Sequence, residues 1–293
     1  MLKNRVLLSM KGRSMPAINA ITPDKLIRLV GTPTCPWIVD VRPDDDFAAF
    51  PGSIPGATRR PFDFVADWAA ALDAHAAIIV CRDGAELSPG AAAWLRASGI
   101  PAETLEGGMD AWTGAGLPTV PEASLPPRDG LGRTIWVTRA RPKVDRIACP
   151  WLIRRFVDRQ ATFLFVAPSE IAATAERFGA TPFDVDGVRW SHQGELCTFD
   201  TMVEAFGLTS LPALARLALI VRGADTARPD LAPQCAGLLA LSLGLSRMFA
   251  DDHEQLEAGM GLYDALYRWS RDAVDETHDW VSHQPRARSR VDA

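Results

Sequence analysis

The chain has 293 residues, of which 47% are hydrophobic and 23% charged, and its formal net charge is −5. This length accommodates two ordinary domains, and the composition is that of a folded globular protein rather than a disordered one. The negative net charge argues against broad nucleic-acid binding. The five cysteines form no CxxC pair, which argues against a disulfide framework or a zinc ribbon.

Two apolar segments, at residues 6–10 and 238–245, are too short to be a targeting or membrane element. The run at residues 6–10 is too short for the core of a signal peptide, and Lys11 and Arg13 follow it. The run at residues 238–245 is far shorter than a membrane span and is followed by Arg247. We therefore expect a cytoplasmic protein with reduced thiols and no membrane partner.

The first half of the chain alternates short apolar runs with amphipathic helical patterns. Strands are predicted at residues 36–42, 76–81 and 102–106, and helices at 64–72 and 91–99. This alternation predicts an α/β domain with a central parallel sheet and helices on both faces. Functional residues of such sheets lie at the carboxyl ends of the strands, where Asp40, Arg42 and Cys81 are found.

A stretch rich in Pro and Gly at residues 117–132 has no apolar period and predicts a linker. Beyond it, strands are predicted at 134–139 and 162–167, helices at about 149–158 and 169–179, and helices throughout from Pro212. The second domain is therefore expected to be α+β and mainly helical. The predicted organisation is a first domain at 18–120, a linker at 121–132, a second domain at 133–278 and a flexible tail at 279–293.

The segment V-C-R-D-G-A-E-L-S-P-G at residues 80–90 places Cys81 at a strand end before a loop. Backbone N–H groups of such a loop, followed by a helix N-terminus, can stabilise a thiolate. Ser88 and Pro89 fit the N-cap and first residue of that helix. The candidate anion-binding loop consists of Arg82, Asp83, Gly84, Ala85, Glu86 and Leu87. From these residues alone, Cys81 is either a reactive thiol or a small buried strand residue.

Four motifs together resemble those of rhodanese-like (thiosulfate sulfurtransferase) domains over roughly residues 20–120. They are D-V-R at 40–42, P-G-S-I-P-G-A at 51–57, V-C-R-D-G-A-E-L-S at 80–88 and L-E-G-G-M-D-A-W-T-G-A-G-L-P at 105–118. The resemblance implies a sulfurtransferase in which Cys81 forms a persulfide that the loop amides cradle, with Asp40 and Arg42 in support. Glu86 stands where many active members have an arginine, so weak activity with thiosulfate is expected.

The second half contains two chemically dense stretches, at residues 144–158 and 190–200. Their candidate metal or oxyanion ligands, together with a more distant aspartate, are Cys149, His192, Glu195, Cys197, Asp200 and Asp225. Imidazole, carboxylate and thiolate groups form a plausible ligand set for a divalent metal, although the spacing matches no standard zinc motif. The alternative is a structural polar network. A divalent metal in this domain is the one cofactor that the residues suggest.

Three segments of the second half resemble the C-terminal domain of the ChrB chromate-resistance family over roughly residues 133–275. They are V-T-R-A-R-P-K-V-D-R-I-A-C-P-W-L-I-R-R-F at 137–156, S-H-Q-G-E-L-C-T-F-D at 191–200 and L-Y-D-A-L-Y-R-W at 262–269. The resemblance implies a role in chromate resistance, since family members are linked to control of a chromate efflux system.

Two hypotheses follow for the whole chain. In the first, a sulfurtransferase or thiol-redox module acts on a small sulfur-containing or oxyanion substrate during chromate or oxyanion stress. In the second, a non-catalytic oxyanion or metal sensor regulates chromate efflux, and its rhodanese domain is degenerate. No helix-turn-helix signature supports direct DNA binding, which stays open only as a variant of the second hypothesis. The sequence predicts no oligomeric state.

Overall fold

Five strands of the N-terminal half form a fully parallel sheet, in the spatial order Ala20–Ile21, Ala102–Leu105, Ala77–Val80, Trp37–Asp40 and Ala57–Arg59. The computed structural model describes residues 19–70, 72 and 75–277. The strands of this half are β1 (Ala20–Ile21), β2 (Trp37–Asp40), β3 (Gly52–Ser53), β4 (Ala57–Arg59), β5 (Ala77–Val80), β6 (Ala102–Leu105) and β7 (Val120–Pro121). Its helices are α1 (Pro23–Leu26), α2 (Asp44–Ala49), α3 (Val65–Ala70), α4 (Leu87–Ala97) and α5 (Gly108–Gly114).

The two central strands are buried on both faces, which explains their continuous apolar sequences. Successive side chains alternate between the faces, so that Ile38 and Ile78 belong to one hydrophobic core and Val39 and Ile79 to another. Cys81 continues the second set and packs in the core that contains residues of α3 and α4. The predicted parallel sheet with helices on both faces is confirmed.

The C-terminal half combines a three-stranded parallel sheet with helices. Its strands are β8 (Ile135–Arg139), β9 (Thr162–Val166) and β10 (Thr181–Pro182), in the order β10-β8-β9. Its helices are α6 (Asp145–Phe156), α7 (Ile171–Phe178), α8 (Thr198–Ala205), α9 (Pro212–Asp225), α10 (Cys235–Met248) and α11 (Asp252–Asp272). The predicted α+β, mainly helical domain is confirmed.

Helix α6 is the centre of the C-terminal core. Most of its side chains are buried, and the Trp151 ring lies within 5.5–6.4 Å of the rings of Phe156, Phe199, Tyr263 and Tyr267. The start predicted from the sequence, near residue 149, is wrong. The helix begins at Asp145, because Ile147 and Ala148 already belong to the buried stripe, and Pro150 lies inside it.

The two halves share one hydrophobic core. Gly31 has φ +77°, and a side chain there would overlap the ring of Phe156. The amide of Gly56 donates to the carbonyl of Phe156 at 2.6 Å, and the guanidinium of Arg159 donates to the carbonyl of Cys35 at 2.8 Å. The domain boundaries stay a prediction, and the predicted tail at 279–293 lies outside the described residues.

The segment predicted as a linker, residues 121–132, is held against both halves. Its first residue belongs to β7, which pairs with β3 in antiparallel fashion, and Arg128 reaches Asp158 at 3.7 Å. Among the described residues, no helix combines the length and apolar character that crossing a membrane requires.

Candidate functional site

Cys81 immediately follows β5, and its loop is fastened to the start of α5. The amide of Met109 donates to the carbonyl of Cys81, and that of Asp110 to the carbonyl of Arg82, both at 2.9 Å. Gly84 has φ +77°, and a Cβ atom there would lie 2.6 Å from the carbonyl oxygen of Leu105. The loop conformation therefore requires glycine at this position, and Cys81 is left 2% exposed beneath the loop.

Among the described residues, two side chains lie at hydrogen-bonding distance from the sulfur of Cys81. The hydroxyl oxygen of Ser88 lies 3.1 Å from Sγ, and the thiol donates to Oδ1 of Asp83 at 3.7 Å. The same Asp83 oxygen accepts the amide of Ala85 at 2.9 Å. That backbone hydrogen bond holds the pKa of Asp83 below its usual range. The sulfur thus has one neighbour able to donate to a thiolate and one that bears a negative charge.

The expected acidic neighbour of the sulfur, Glu86, is exposed, and the contacts of Cys81 are with Asp83 and Ser88. The prediction of Ser88 as N-cap is also wrong. Glu86 already has helical dihedral angles (φ −75°, ψ −50°), so α4 begins at Leu87. The Ser88 hydroxyl therefore faces the thiol instead of capping a helix amide.

Arg82 points away from the sulfur, since its guanidinium approaches Asp46 at 3.4 Å and Asp110 at 3.7 Å. The predicted supporting residues Asp40 and Arg42 form a buried ion pair at 2.6 Å. Arg42 also donates to the carbonyls of residues 50 and 52, at 3.1 and 2.7 Å. These two side chains fix the chain after β2 and do not contact the thiol.

A second cluster forms around His192 in the C-terminal half. Its Nε2 atom lies 3.1 Å from Asp225 Oδ2, 3.6 Å from Asp184 Oδ1 and 3.7 Å from Asp145 Oδ2. Asp145 is the first residue of α6, Asp225 is the last of α9, and Asp184 follows β10. The His192 side chain is 42% exposed while that of Asp145 is fully buried, so the cluster opens to solvent on the histidine side.

Helix α8 orients two of these carboxylates through Thr198. Its amide donates to Asp145 Oδ2 at 2.6 Å, and its hydroxyl donates to Asp184 Oδ1 at 3.0 Å. The other oxygen of Asp145, Oδ1, is buried and has no hydrogen-bond partner among the residues that the structure describes. The other oxygen of Asp184 faces Arg139 at 3.3 Å and Arg146 at 3.2 Å.

The carboxylates of the cluster destabilise one another's charged forms. Burial, followed by the charges of Asp225 and Asp184, raises the pKa of Asp145 well above its ordinary value. Burial and the charge of Asp184 also raise the pKa of Asp225, with the nearby His192 opposing this shift. Three acidic groups converge here with less positive charge than would balance them.

Of the six candidate ligands from the sequence, the structure brings His192 and Asp225 together. The Cys197 thiol instead donates to Asp200 at 3.2 Å, and burial raises its pKa. Cys149 is fully buried in α6, and burial raises its pKa as well. Glu195 is exposed on the tight turn between Gln193 and Leu196.

Asp184, which sequence reasoning missed, has φ +51° in an irregular segment. Asp145 lies in the chemically dense stretch at residues 144–158, but it is not among the candidate ligands that the sequence indicates. No local spacing connects these aspartates to His192, because the four residues come from four separate parts of the chain.

A partly enclosed cavity of about 210 Å³ lies where the two halves meet. Its charged lining residues are Arg59, Arg60, Arg128 and Glu122. Arg59 pairs with Asp44, and Arg128 approaches Asp158, whereas Arg60 forms no ion pair with any described carboxylate. Burial, and after it the guanidinium of Arg128, lower the pKa of Arg60.

Comparison with known proteins gives two matches to family models. Residues 22–115 match the rhodanese-like domain, and residues 136–270 match the C-terminal domain of ChrB. Protein ChrB of Cupriavidus metallidurans is 32% identical over 162 residues, which cover 54% of this chain and 48% of that protein. The chain therefore spans about half the length of the curated relative it matches.

Two solved structures illustrate the similarity to the rhodanese-like domain. A rhodanese-like domain protein from Staphylococcus aureus is 37% identical, with 32% of this chain and 91% of that chain covered and a TM-score of 0.29. A thiosulfate sulfurtransferase from Pseudomonas aeruginosa is 30% identical, with 36% of this chain and 20% of that chain covered and a TM-score of 0.30. Residues 22–115 are thus similar to rhodanese-like domains, and residues 136–270 to the C-terminal domain of ChrB.

Proposed function

We propose that Cys81 is the nucleophile of a rhodanese-type sulfur transfer that serves a response to chromate. The observation that supports this role is the 3.1 Å approach of the Ser88 hydroxyl to Sγ at the carboxyl end of β5. A hydroxyl that donates to a thiolate favours the charged, nucleophilic form. The N-terminus of α4 adds positive potential on the same side. The link to chromate rests on the match of residues 136–270 to ChrB.

The proposed reaction has two balanced steps. The Cys81 thiolate attacks the outer sulfur of the donor, the donor S–S bond breaks, and its electron pair leaves with a thiolate or, from thiosulfate, with sulfite. Cys81 then carries a persulfide. An acceptor nucleophile attacks the outer sulfur, and the electron pair of that S–S bond returns to the Cys81 thiolate.

Asp83 determines which donor suits this loop. Its carboxylate lies 3.7 Å from the sulfur and repels a dianion more strongly than a singly charged one. We therefore expect a low-molecular-weight persulfide to be a better sulfur donor than thiosulfate.

The test compares wild type, Cys81→Ser and Cys35→Ser. Each protein is incubated with thiosulfate or with cysteine persulfide, then with cyanide, and thiocyanate is measured. Intact-mass spectrometry after the first step detects the added sulfur atom. Activity and added sulfur in wild type and Cys35→Ser, but not in Cys81→Ser, are expected. Equal background rates in all three proteins with both donors would rule out the sulfurtransferase.

The arginine-lined cavity favours a second candidate function, oxyanion sensing. Arg59, Arg60 and Arg128 outnumber the single acidic lining residue, Glu122. One water occupies about 30 Å³ of liquid, so the cavity can admit a tetrahedral dianion such as chromate or sulfate. Because both halves line it, a bound anion would act on the contact between the domains, as a sensor requires.

A further inference from the structure

The donor atoms around His192 lie close enough together to surround one metal ion. A cation held about 2.1 Å from each ligand places neighbouring ligand atoms about 3.0–3.4 Å apart. Nε2 of His192 lies 3.1 Å from Asp225 Oδ2, within this range, and 3.7 Å from Asp145 Oδ2, slightly beyond it. The ligand atoms of Asp145, His192 and Asp225 all lie within 4.8 Å of one another. We propose that Asp145, His192 and Asp225 bind one divalent metal cation.

An unpartnered buried atom points independently to a missing ligand. Asp145 Oδ1 is buried, its side chain is fully shielded from solvent, and nothing in the described part of the chain donates to it. A buried carboxylate oxygen without a partner is costly, since it has lost its hydration without replacement. A cation bound to the same carboxylate through Oδ2 would stabilise its charge and so offset the cost of the unpartnered Oδ1.

The charges around the cluster lead to the same conclusion. The guanidinium groups of Arg139 and Arg146 both face Asp184. Asp145 receives hydrogen bonds from the first turn of α8, and among the described residues His192 is the one cationic side chain at ion-pair distance from it. The three carboxylates thus face two guanidinium groups and one half-exposed imidazole. The carboxylates outnumber the guanidinium groups, and a bound cation would offset the difference.

The donor set indicates the chemical class of the cation. Two carboxylates and one imidazole suit a cation that accepts oxygen ligands together with nitrogen, such as Mn²⁺. The nearest thiols do not complete a soft site, because Cys197 donates its proton to Asp200 and Cys149 is enclosed in α6. Thr198 donates its amide to Asp145 from outside the ligand set, as the second shell of a metal site does.

The site is separate from the proposed sulfur transfer, so the two can fail independently. The test uses the full chain, treated with EDTA and desalted, and titrated with MnCl₂ while free Mn²⁺ is followed by electron paramagnetic resonance. Wild type is expected to bind one Mn²⁺ per chain. His192→Ala and Asp225→Asn remove ligands at the more open side of the cluster, and each is expected to weaken binding at least about tenfold. Circular dichroism verifies that the variants fold.

Matched controls are Glu195→Gln, on the same turn as His192, and His253→Ala, an exposed histidine of α11. Both are expected to bind Mn²⁺ as wild type does. Absence of saturable binding at millimolar Mn²⁺ would overturn the proposal and leave His192 as a counter-ion of the aspartates. Unchanged affinity in folded His192→Ala and Asp225→Asn would also overturn it, because the metal would then bind elsewhere.

Discussion

The carboxylate of Asp83 lies 3.7 Å from the sulfur of Cys81 while it accepts the amide of Ala85. One side chain thus shapes the loop and places a negative charge beside the nucleophile. Because the backbone hydrogen bond of Ala85 lowers the pKa of Asp83, this charge persists at neutral pH and in mild acid. The Asp83 carboxylate therefore repels an incoming dianion both at neutral pH and in mild acid.

Asp83→Asn is expected to increase sulfur transfer from thiosulfate several-fold. The asparagine carbonyl can still accept the Ala85 amide, so that the loop is retained while the charge is removed. Steady-state assays with thiosulfate at one fixed pH measure this effect.

The matched control for this charge is Glu86→Gln, which removes an exposed carboxylate three residues away in the same loop. We expect a much smaller change, which should diminish further with added salt because exposed charges are screened. A Glu86→Gln effect as large as that of Asp83→Asn would contradict the assignment of Asp83 as the residue that limits activity.

Cysteine alkylation distinguishes the loop thiol from Cys35, which is half-buried near the other domain. Burial raises the pKa of Cys35 to about 11, despite the opposing charges of Arg159 and Arg155. Since only the thiolate reacts, Cys35 should resist iodoacetamide at pH 8 and become reactive as the pH approaches 11. Peptide mass spectrometry of the native protein should find Cys81 modified before Cys35 at pH 8, and the reverse order would refute this prediction.

Local sequence was sufficient for the sheet and for the position of Cys81. Residues 77–80 form an unbroken apolar run because both faces of β5 are covered, and the cysteine after it falls at a strand end. The orientation of the loop side chains could not be predicted in the same way. Whether Asp83 or Glu86 faces the sulfur depends on the backbone reversal at Gly84, where φ is +77°, and both residues have the same charge.

The cluster around His192 was only partly predictable, for a different physical reason. His192 and Asp225 were recognisable as candidate ligands, whereas Asp184 follows β10 in an irregular segment with positive φ. Asp145 approaches His192 from the first turn of α6. That helix begins four residues before the start that the sequence pattern indicates. Contacts between residues 145, 184, 192 and 225 depend on how separate elements pack, and no local periodicity encodes them.

The arginine-lined cavity predicts that Arg60→Gln weakens oxyanion binding about tenfold or more. Sulfate is the suitable probe, because it shares the tetrahedral shape and charge of chromate without oxidising thiols. Isothermal titration calorimetry at low ionic strength should give one site per chain in wild type, with an affinity that falls as NaCl is added. Arg177→Gln, an exposed change on α7, should bind as wild type does. Equal affinity in wild type and Arg60→Gln would exclude this cavity as the binding site.

Gly31→Ala tests whether the two halves unfold together. The new methyl group would meet the ring of Phe156 at a backbone position with φ +77°, so both steric overlap and backbone strain oppose it. We expect a loss of about 2–4 kcal/mol in the free energy of unfolding. Gly114→Ala is the control, since a Cβ atom at that position would meet no described atom within 4 Å outside its own helix backbone and its chain neighbours. We expect it to be neutral or slightly stabilising. Urea denaturation followed by tryptophan fluorescence and by circular dichroism should give coincident transitions in all three proteins, because residues of both halves belong to the same core. Separate transitions, or an unchanged midpoint in Gly31→Ala, would show that the contact between Gly31 and Phe156 does not couple the two halves.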